Sequence, residues 1–208
     1  MAYGFLDIAV TPSVKAAQAS MNSDRIWTDF KGRREFDRFT ENEAAFIAAR
    51  DSFYMASVSE TGWPYVQHRG GPAGFLKVID AKTLAFADYR GNRQYISLGN
   101  LSTDDRVALI LMDYAGRQRL KIYARLDVVA LDADQALAAQ VTIPGYKAAQ
   151  ERILKLRLEA FDWNCPQHIT PRFTEAEIAV AVNSLSERVA ALQAANDTLR
   201  AQLAQRGD

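Results

Sequence analysis

The sequence predicts a mainly β domain with added helices (α+β), its strands closing as a barrel between an N-terminal helical arm and a C-terminal helix. Three observations predict it. Short apolar segments recur between Ser52 and Phe161, separated by tight turns such as Glu60-Thr61-Gly62 and Ala115-Gly116. Two of those segments alternate strictly between apolar and polar residues, the period of a half-buried strand. After Ile178 the apolar spacing changes to alternating steps of four and three.

In chain order, residues 1–39 read as an arm with a helix near Pro12 to Met21. Thr40 and Glu43 stand three apart before an apolar run, the capping-box pattern, and open a helix reaching about Arg50. Strands follow at 52–59, 65–69, 75–80 and 83–88. Residues 92–101 read as helix. The run 106–114 is almost wholly apolar, as in a strand covered on both faces. Leu120, Ile122, Ala124, Leu126 and Val128 share one face of the next strand. A short helix near 132–140 precedes 152–161, where Leu154, Leu156, Leu158 and Ala160 oppose Lys155, Arg157 and Glu159. Helix competes for that last segment, and strict alternation favours strand. About seven strands with short turns suit a barrel rather than an open sheet. The chain thus divides into an arm (1–39), a barrel (40–172) and a C-terminal dimerisation helix (173–208).

Bulk properties remove several function classes. The 208 residues carry 25 Lys plus Arg against 25 Asp plus Glu, without the basic excess of a nucleic-acid binder. Lys31, Arg33, Arg34 and Arg38 are locally basic, but Asp29, Glu35 and Asp37 interleave with them, which reads as solvated surface. No segment reads as a signal peptide or approaches the ~20 apolar residues of a membrane helix. One cysteine, Cys165, forms no intrachain disulfide, and the expected location is cytoplasmic. There is no CxxC or HExxH zinc pattern, P-loop, dinucleotide glycine motif or nucleophile elbow. No metal site is expected. Difficult chemistry in such a chain falls to a cofactor.

The C-terminal pattern is more specific. With Ile178, Leu185, Leu192 and Leu199 at d, Val182, Val189, Asn196 and Leu203 fall at a. β-Branched residues at a, Leu at d and one Asn at a describe a parallel two-stranded coiled coil. A single helix packed on the barrel is the alternative, but it normally shows a wider apolar stripe. The expected partner is a second copy of the chain.

Three features can serve one ligand. In His68-Arg69-Gly70-Gly71-Pro72-Ala73-Gly74-Phe75, glycines permit close backbone approach, with Arg69 and Lys77 on either side. Arg90-Gly91-Asn92-Arg93-Gln94 opens a predicted helix, where unpaired N–H groups and guanidinium favour a phosphate. Arg117-Gln118 enters a strand, and a Gln there both donates to and accepts from a heterocycle edge. Taken singly, each has a plainer reading: Arg69 as a surface strand cation, Cys165 as a small buried hydrophobe, Trp163 as core. Arg93 is the exception, because a cation at a helix start is unfavourable without an anion.

On these residues the chain resembles the pyridoxamine 5'-phosphate oxidase-related flavin-binding proteins, a split β-barrel family that binds FMN at a dimer interface. Phe75 to Asp80 stands where the family has a basic residue closing an apolar strand before Gly-Val-Asp. The step of thirteen from Asp80 to Arg93 is kept. The family's Ser-Arg-Lys becomes Asn92-Arg93-Gln94, one cation fewer, for which Arg90 is a substitute. Arg117-Gln118 matches the family's Arg-Gln. Arg69 stands three residues earlier than the family's strand-opening arginine. Trp163 to Ile169 resembles a subgroup described as predicted flavin-nucleotide-binding proteins. The segment that holds pyridoxamine phosphate in the oxidase itself is not recognisable.

The resemblance implies an FMN-type split barrel, an FMN cofactor between two subunits of a homodimer, and NAD(P)H as candidate electron donor. The implied cofactor-binding residues are Arg69, Gly70, Gly71, Phe75, Lys77, Asp88, Arg90, Asn92, Arg93, Gln94, Arg117 and Gln118. Cys165 and His168 are the candidate catalytic residues. The expected function is a flavin-dependent oxidoreductase of undefined substrate. The alternatives are a non-catalytic flavin-binding or sensing protein, or a haem- or deazaflavin-binding barrel.

Overall fold

A computed structural model of the chain describes residues 4–24, 37–163 and 166–205. The basic residues 31–34 and Cys165 lie outside the described residues. Two compact units divide the chain: Met1–Asp113 with Arg117–Gln167, and Tyr114–Gly116 with His168–Asp208.

The first unit is a seven-stranded antiparallel sheet with helices. Its strands are β1 (Ser52–Val58), β2 (Pro64–Gly70), β3 (Lys77–Asp80), β4 (Thr83–Tyr89), β5 (Arg106–Asp113), β6 (Gln118–Val129) and β7 (Gln150–Trp163). Their order is β2-β1-β5-β6-β7-β4-β3, so β2 and β3 are the two edges of a split barrel. Its helices are α1 (Phe5–Ala9), α2 (Pro12–Ser20), α3 (Glu41–Ala48), α4 (Ile96–Leu101) and α5 (Gln135–Val141).

The period-two signal becomes the core. Val107, Leu109 and Leu111 of β5 and Leu120, Ile122, Ala124 and Leu126 of β6 are buried with Leu154, Leu156 and Leu158 of β7. Val128 departs from its alternation and is exposed, beyond a register shift between Tyr123 and Ala124. Phe53, Phe75 and Phe86 form an aromatic knot in that core, with centroids 5.3–6.0 Å apart. Each such buried ring contributes roughly 1.5–3 kcal/mol. The knot joins β1 to β4, strands near opposite ends of the sheet order, so the sheet curls until its ends face each other. β4 is buried on both faces. Leu84 and Phe86 point to the barrel, while Ala85 and Ala87 pack in a second cluster with Leu137 and Val141 of α5.

Glu43 fixes the start of α3. Its carboxylate accepts the backbone N–H of Thr40 at 2.9 Å, the Thr40 hydroxyl, and the Trp163 indole N–H at 2.8 Å. Burial works against that charge, but these hydrogen bonds outweigh it and hold the Glu43 carboxyl below the usual carboxylate range.

One strand differs from its prediction. Phe75 and Leu76 precede β3 instead of beginning it, because both side chains turn into the core at 1% exposure. β5 also departs from full coverage. Ala108 and Ile110 remain half-buried, on the outward face with exposed Tyr54 and Val66.

The second unit contains α6 (Glu175–Gln205). The Thr174 hydroxyl and backbone N–H both bond the Glu177 carboxylate, capping it. Ile178, Val182, Leu185, Val189, Leu192, Leu199 and Leu203 are all exposed. In the same unit the Arg172 guanidinium lies over the Tyr114 ring at 4.8 Å. Among the described residues, no helix is long and apolar enough to cross a membrane, and no group of three His, Cys, Asp or Glu could hold a metal ion.

Candidate functional site

The corner at 90–94 is built by local hydrogen bonding rather than by a helix. The Asn92 side-chain oxygen accepts the Gln94 N–H at 3.1 Å, an Asx turn. Arg93 and Tyr95 adopt left-handed backbone, with φ of 62° and 53°. α4 therefore starts only at Ile96. This corrects the start of the predicted helix over 92–101: the Asx turn takes the Gln94 N–H, and the left-handed Arg93 and Tyr95 break the helical backbone before Ile96. Phosphate attraction by a helix start does not apply here, and side-chain cations must supply it.

They do converge. A cavity of about 50 Å3 is lined by Arg69, Asp88, Asn92, Arg93, Gln94 and Tyr95, together with Gln67, Tyr89, Ser97, Glu151 and Arg152. Arg69 reaches it from the edge strand β2, and Asp88 from β4. Arg152 stands opposite Asp88 in the β4–β7 register. Asp88 bonds Arg69 at 2.7 Å and Arg152 at 2.9 Å. Glu151 accepts from Arg90 at 3.0 Å, from the Tyr95 hydroxyl at 3.1 Å and from Arg152 at 3.1 Å. The Arg90 hydrogen bond, then Tyr95 and the charge of Arg152, hold the Glu151 carboxyl below its usual range. Ser97 donates to Gln67 at 2.9 Å and anchors α4 against β2.

Among the described residues, two buried polar atoms beside this cavity lack a protein partner: Arg69 Nε and the Tyr89 hydroxyl. Burial, and secondarily the nearby Tyr146, push the Tyr89 hydroxyl above its usual pKa, so it stays a donor. The four arginines stand against two carboxylates, a surplus of about +2 that matches a phosphate monoester of roughly −1.5 to −2. The donor set fits such a group. The cavity is far below the roughly 300 Å3 of an ordinary ligand pocket, so it admits the phosphate end of a ligand and no ring system.

The other candidates lie elsewhere. Phe75 is in the aromatic knot. A Cβ on Gly71 would meet Phe75 Cγ at 2.8 Å, so that glycine makes room for a core ring. Gly70 ends β2 and Lys77 begins β3. Arg117 and Gln118 are exposed at the entry to β6, Arg117 with a φ of 52°. His168 is exposed, with a φ of 62°. Tyr89 and Tyr95 were legible in the sequence as neighbours of the corner, whereas Arg152, Glu151, Gln67 and Ser97 were not legible as site residues. They come together only through strand pairing and curvature.

A larger apolar groove, about 640 Å3, runs over the outer face of the sheet and is lined by Ile8, Ala56, Val58, Val107, Ala108 and Tyr123 among others. A further 230 Å3 hollow on the same face includes Tyr54, Val66, Ile110 and Tyr123.

The family model for pyridoxamine 5'-phosphate oxidase matches residues 39–161. Among solved structures, a candidate pyridoxamine 5'-phosphate oxidase of Lactobacillus delbrueckii is similar at 21% identity and TM-score 0.46, over 61% of this chain and 94% of its own. A Clostridium acetobutylicum protein related to general stress protein 26 is similar at 13% identity and TM-score 0.44, over 66% and 94%. An FMN-binding protein of Syntrophomonas wolfei is similar at 12% identity and TM-score 0.42, over 74% and 95%. No curated protein matches.

Proposed function

The chain belongs to the pyridoxamine 5'-phosphate oxidase family, and from that premise we propose that it is an FMN-binding oxidoreductase working as a homodimer, with the cofactor between two subunits. The carrying observation is the surplus of guanidinium around a cavity sized for one phosphate. Arg93, Asn92 and Gln94, with Arg69 or Arg90, hold the phosphate. Bound FMN supplies hydride and electron transfer, and the protein supplies position and polarity. NAD(P)H is the proposed electron donor.

The cavity has no room for the flavin ring, so the ring lies outside it. Lys77, Gln118 and the backbone of 70–77 belong to the ring's surroundings in this reading, partly from the second subunit. Support for a second subunit comes from the outward sheet face, where Tyr54, Val58 and Val66 are exposed beside the groove. Further support comes from the exposed heptad stripe of α6, the proposed dimerisation helix.

The absorbance spectrum of the purified protein, before and after incubation with FMN, tests the reading. Flavin bands that stay with the protein through gel filtration are expected. Bleaching by NADH or NADPH would identify the donor. A protein that stays colourless and leaves added FMN free would overturn the proposal, and a haem or deazaflavin spectrum would replace it.

A further inference from the structure

Resting on the flavin reading above, we infer that Arg69 and Arg152 form the paired cation of the phosphate site, with Asp88 as their positioning residue, and that Arg90 serves instead to neutralise Glu151. The Asp88 carboxylate is divided: one oxygen takes Arg69 Nη1, the other Arg152 Nη1. The three side chains are only 13%, 17% and 11% exposed, so the fork is shielded from bulk solvent. Each guanidinium has five N–H donors and gives one to Asp88. Arg69 Nε is buried beside the cavity with no acceptor among the described residues, a costly state that an arriving phosphate oxygen relieves. The Arg152 guanidinium is further fixed over the Tyr95 ring at 5.2 Å.

Arg90 shares Glu151 with Arg152 but differs in exposure and position. Its side chain is 51% exposed, it does not line the cavity, and its Nε bonds Glu151. With that pair cancelled, Arg69, Arg93 and Arg152 against Asp88 leave a charge of about +2, the complement of a phosphate monoester dianion. The sequence pattern lacked one cation at Gln94. Arg152 provides it from β7, 58 positions later.

The test is a comparison of FMN with riboflavin, which share a ring and differ in the phosphate. Apo-protein is titrated with each, followed by quenching of flavin fluorescence. Wild type should prefer FMN strongly. Arg152→Gln should lower FMN affinity by about tenfold or more, because a charge-assisted hydrogen bond to the phosphate is lost. Asp88→Asn should lower it by about threefold, because the acceptor that aims both guanidiniums is weakened while the site gains positive charge. Riboflavin affinity should stay within about twofold in both. Arg90→Gln should cost FMN less than about threefold. Circular dichroism confirms folding of each variant. If Arg152→Gln does not fold, Arg152→Lys carries the test, keeping charge but losing the planar fork, with about a threefold to tenfold loss expected. Wild-type FMN affinity in a folded Arg152 variant, or an Arg90→Gln loss as large as that of Arg152→Gln, overturns the assignment and leaves the flavin reading standing. Failure of wild type to bind either flavin overturns both.

Discussion

Arg69, on one edge strand of the sheet, bonds Asp88 at 2.7 Å on the penultimate strand of the opposite end. The ion pair is therefore a latch across the seam of the barrel as well as part of the corner. Asp88→Ala leaves the largely buried Arg69 guanidinium without its carboxylate and Arg152 with Glu151 alone. Breaking a buried pair from one side typically costs ~3–5 kcal/mol. The urea midpoint should fall accordingly, and a loss under about 1 kcal/mol would show that the latch contributes little.

In the flavin reading, Arg93 has opposing duties. Its φ of 62° is strained for a side chain with a Cβ, by about 1 kcal/mol. Arg93→Gly should therefore raise the melting temperature of apo-protein slightly while weakening FMN binding about tenfold. Thermal melts with and without FMN check both halves. Loss of apo stability would mean that the guanidinium itself supports the turn.

Gly71→Ala should destabilise the fold without touching the corner. The new Cβ would press on Phe75, itself 1% exposed and unable to yield without disturbing Phe53 and Phe86. Overpacking of this kind costs about 1–3 kcal/mol. Chemical denaturation should show the loss, with the relative affinity for FMN and riboflavin unchanged in folded protein.

Acid should unfold the protein partly through Asp104. A hydrogen bond from the Arg106 side chain, then the Arg106 backbone N–H, lower its carboxyl from 3.8 to about 2. Asp37 is lowered too, chiefly by its hydrogen bond from Lys82. A folded-state pKa below the unfolded one gives stability that is present above the unfolded value and lost as pH falls through the folded value. Stability should thus decline from about pH 4 to pH 2. Asp104→Asn should flatten that slope at constant ionic strength. An unchanged slope would place the acid sensitivity elsewhere.

The α6 stripe makes a register-specific prediction. In a Cys165→Ser background, Val189→Cys places one thiol at an a position, which meets its own counterpart only in a parallel, in-register pair. Mild oxidation should yield a covalent dimer in high yield. Monomer alone, under the same conditions, would remove the coiled coil as a dimer contact.

How far the sequence foretold this depended on how local each determinant was. The alternation in 120–128 and 152–161 survives as strands because one buried face requires it, and the Thr40–Glu43 pattern caps a helix because three residues suffice. The corner at Asn92 to Gln94 was visible for the same reason. Its conformation was not, since an Asx turn and a helical first turn use the same residue types. Arg152 looked like one more polar position on an alternating strand. Its pairing with Asp88, 64 residues earlier, comes from strand register, which no short window contains. Gly71 carries a determinant of the same long-range kind. The sequence reads it as room for ligand approach, and the fold adds that its missing Cβ accommodates the ring of Phe75.

The linear strand order also bears on solubility. Edge strands offer free backbone donors and acceptors that can recruit another chain into aggregates. Here one edge, β3, is four residues long and is bulged between Val78 and Asp80. The other, β2, opens with Pro64 and carries Gln67, His68 and Arg69 in succession. Both resist templated growth, one by brevity and twist, the other by a missing amide and polar side chains. The barrel can therefore keep two sheet edges without indiscriminate β-pairing with other chains.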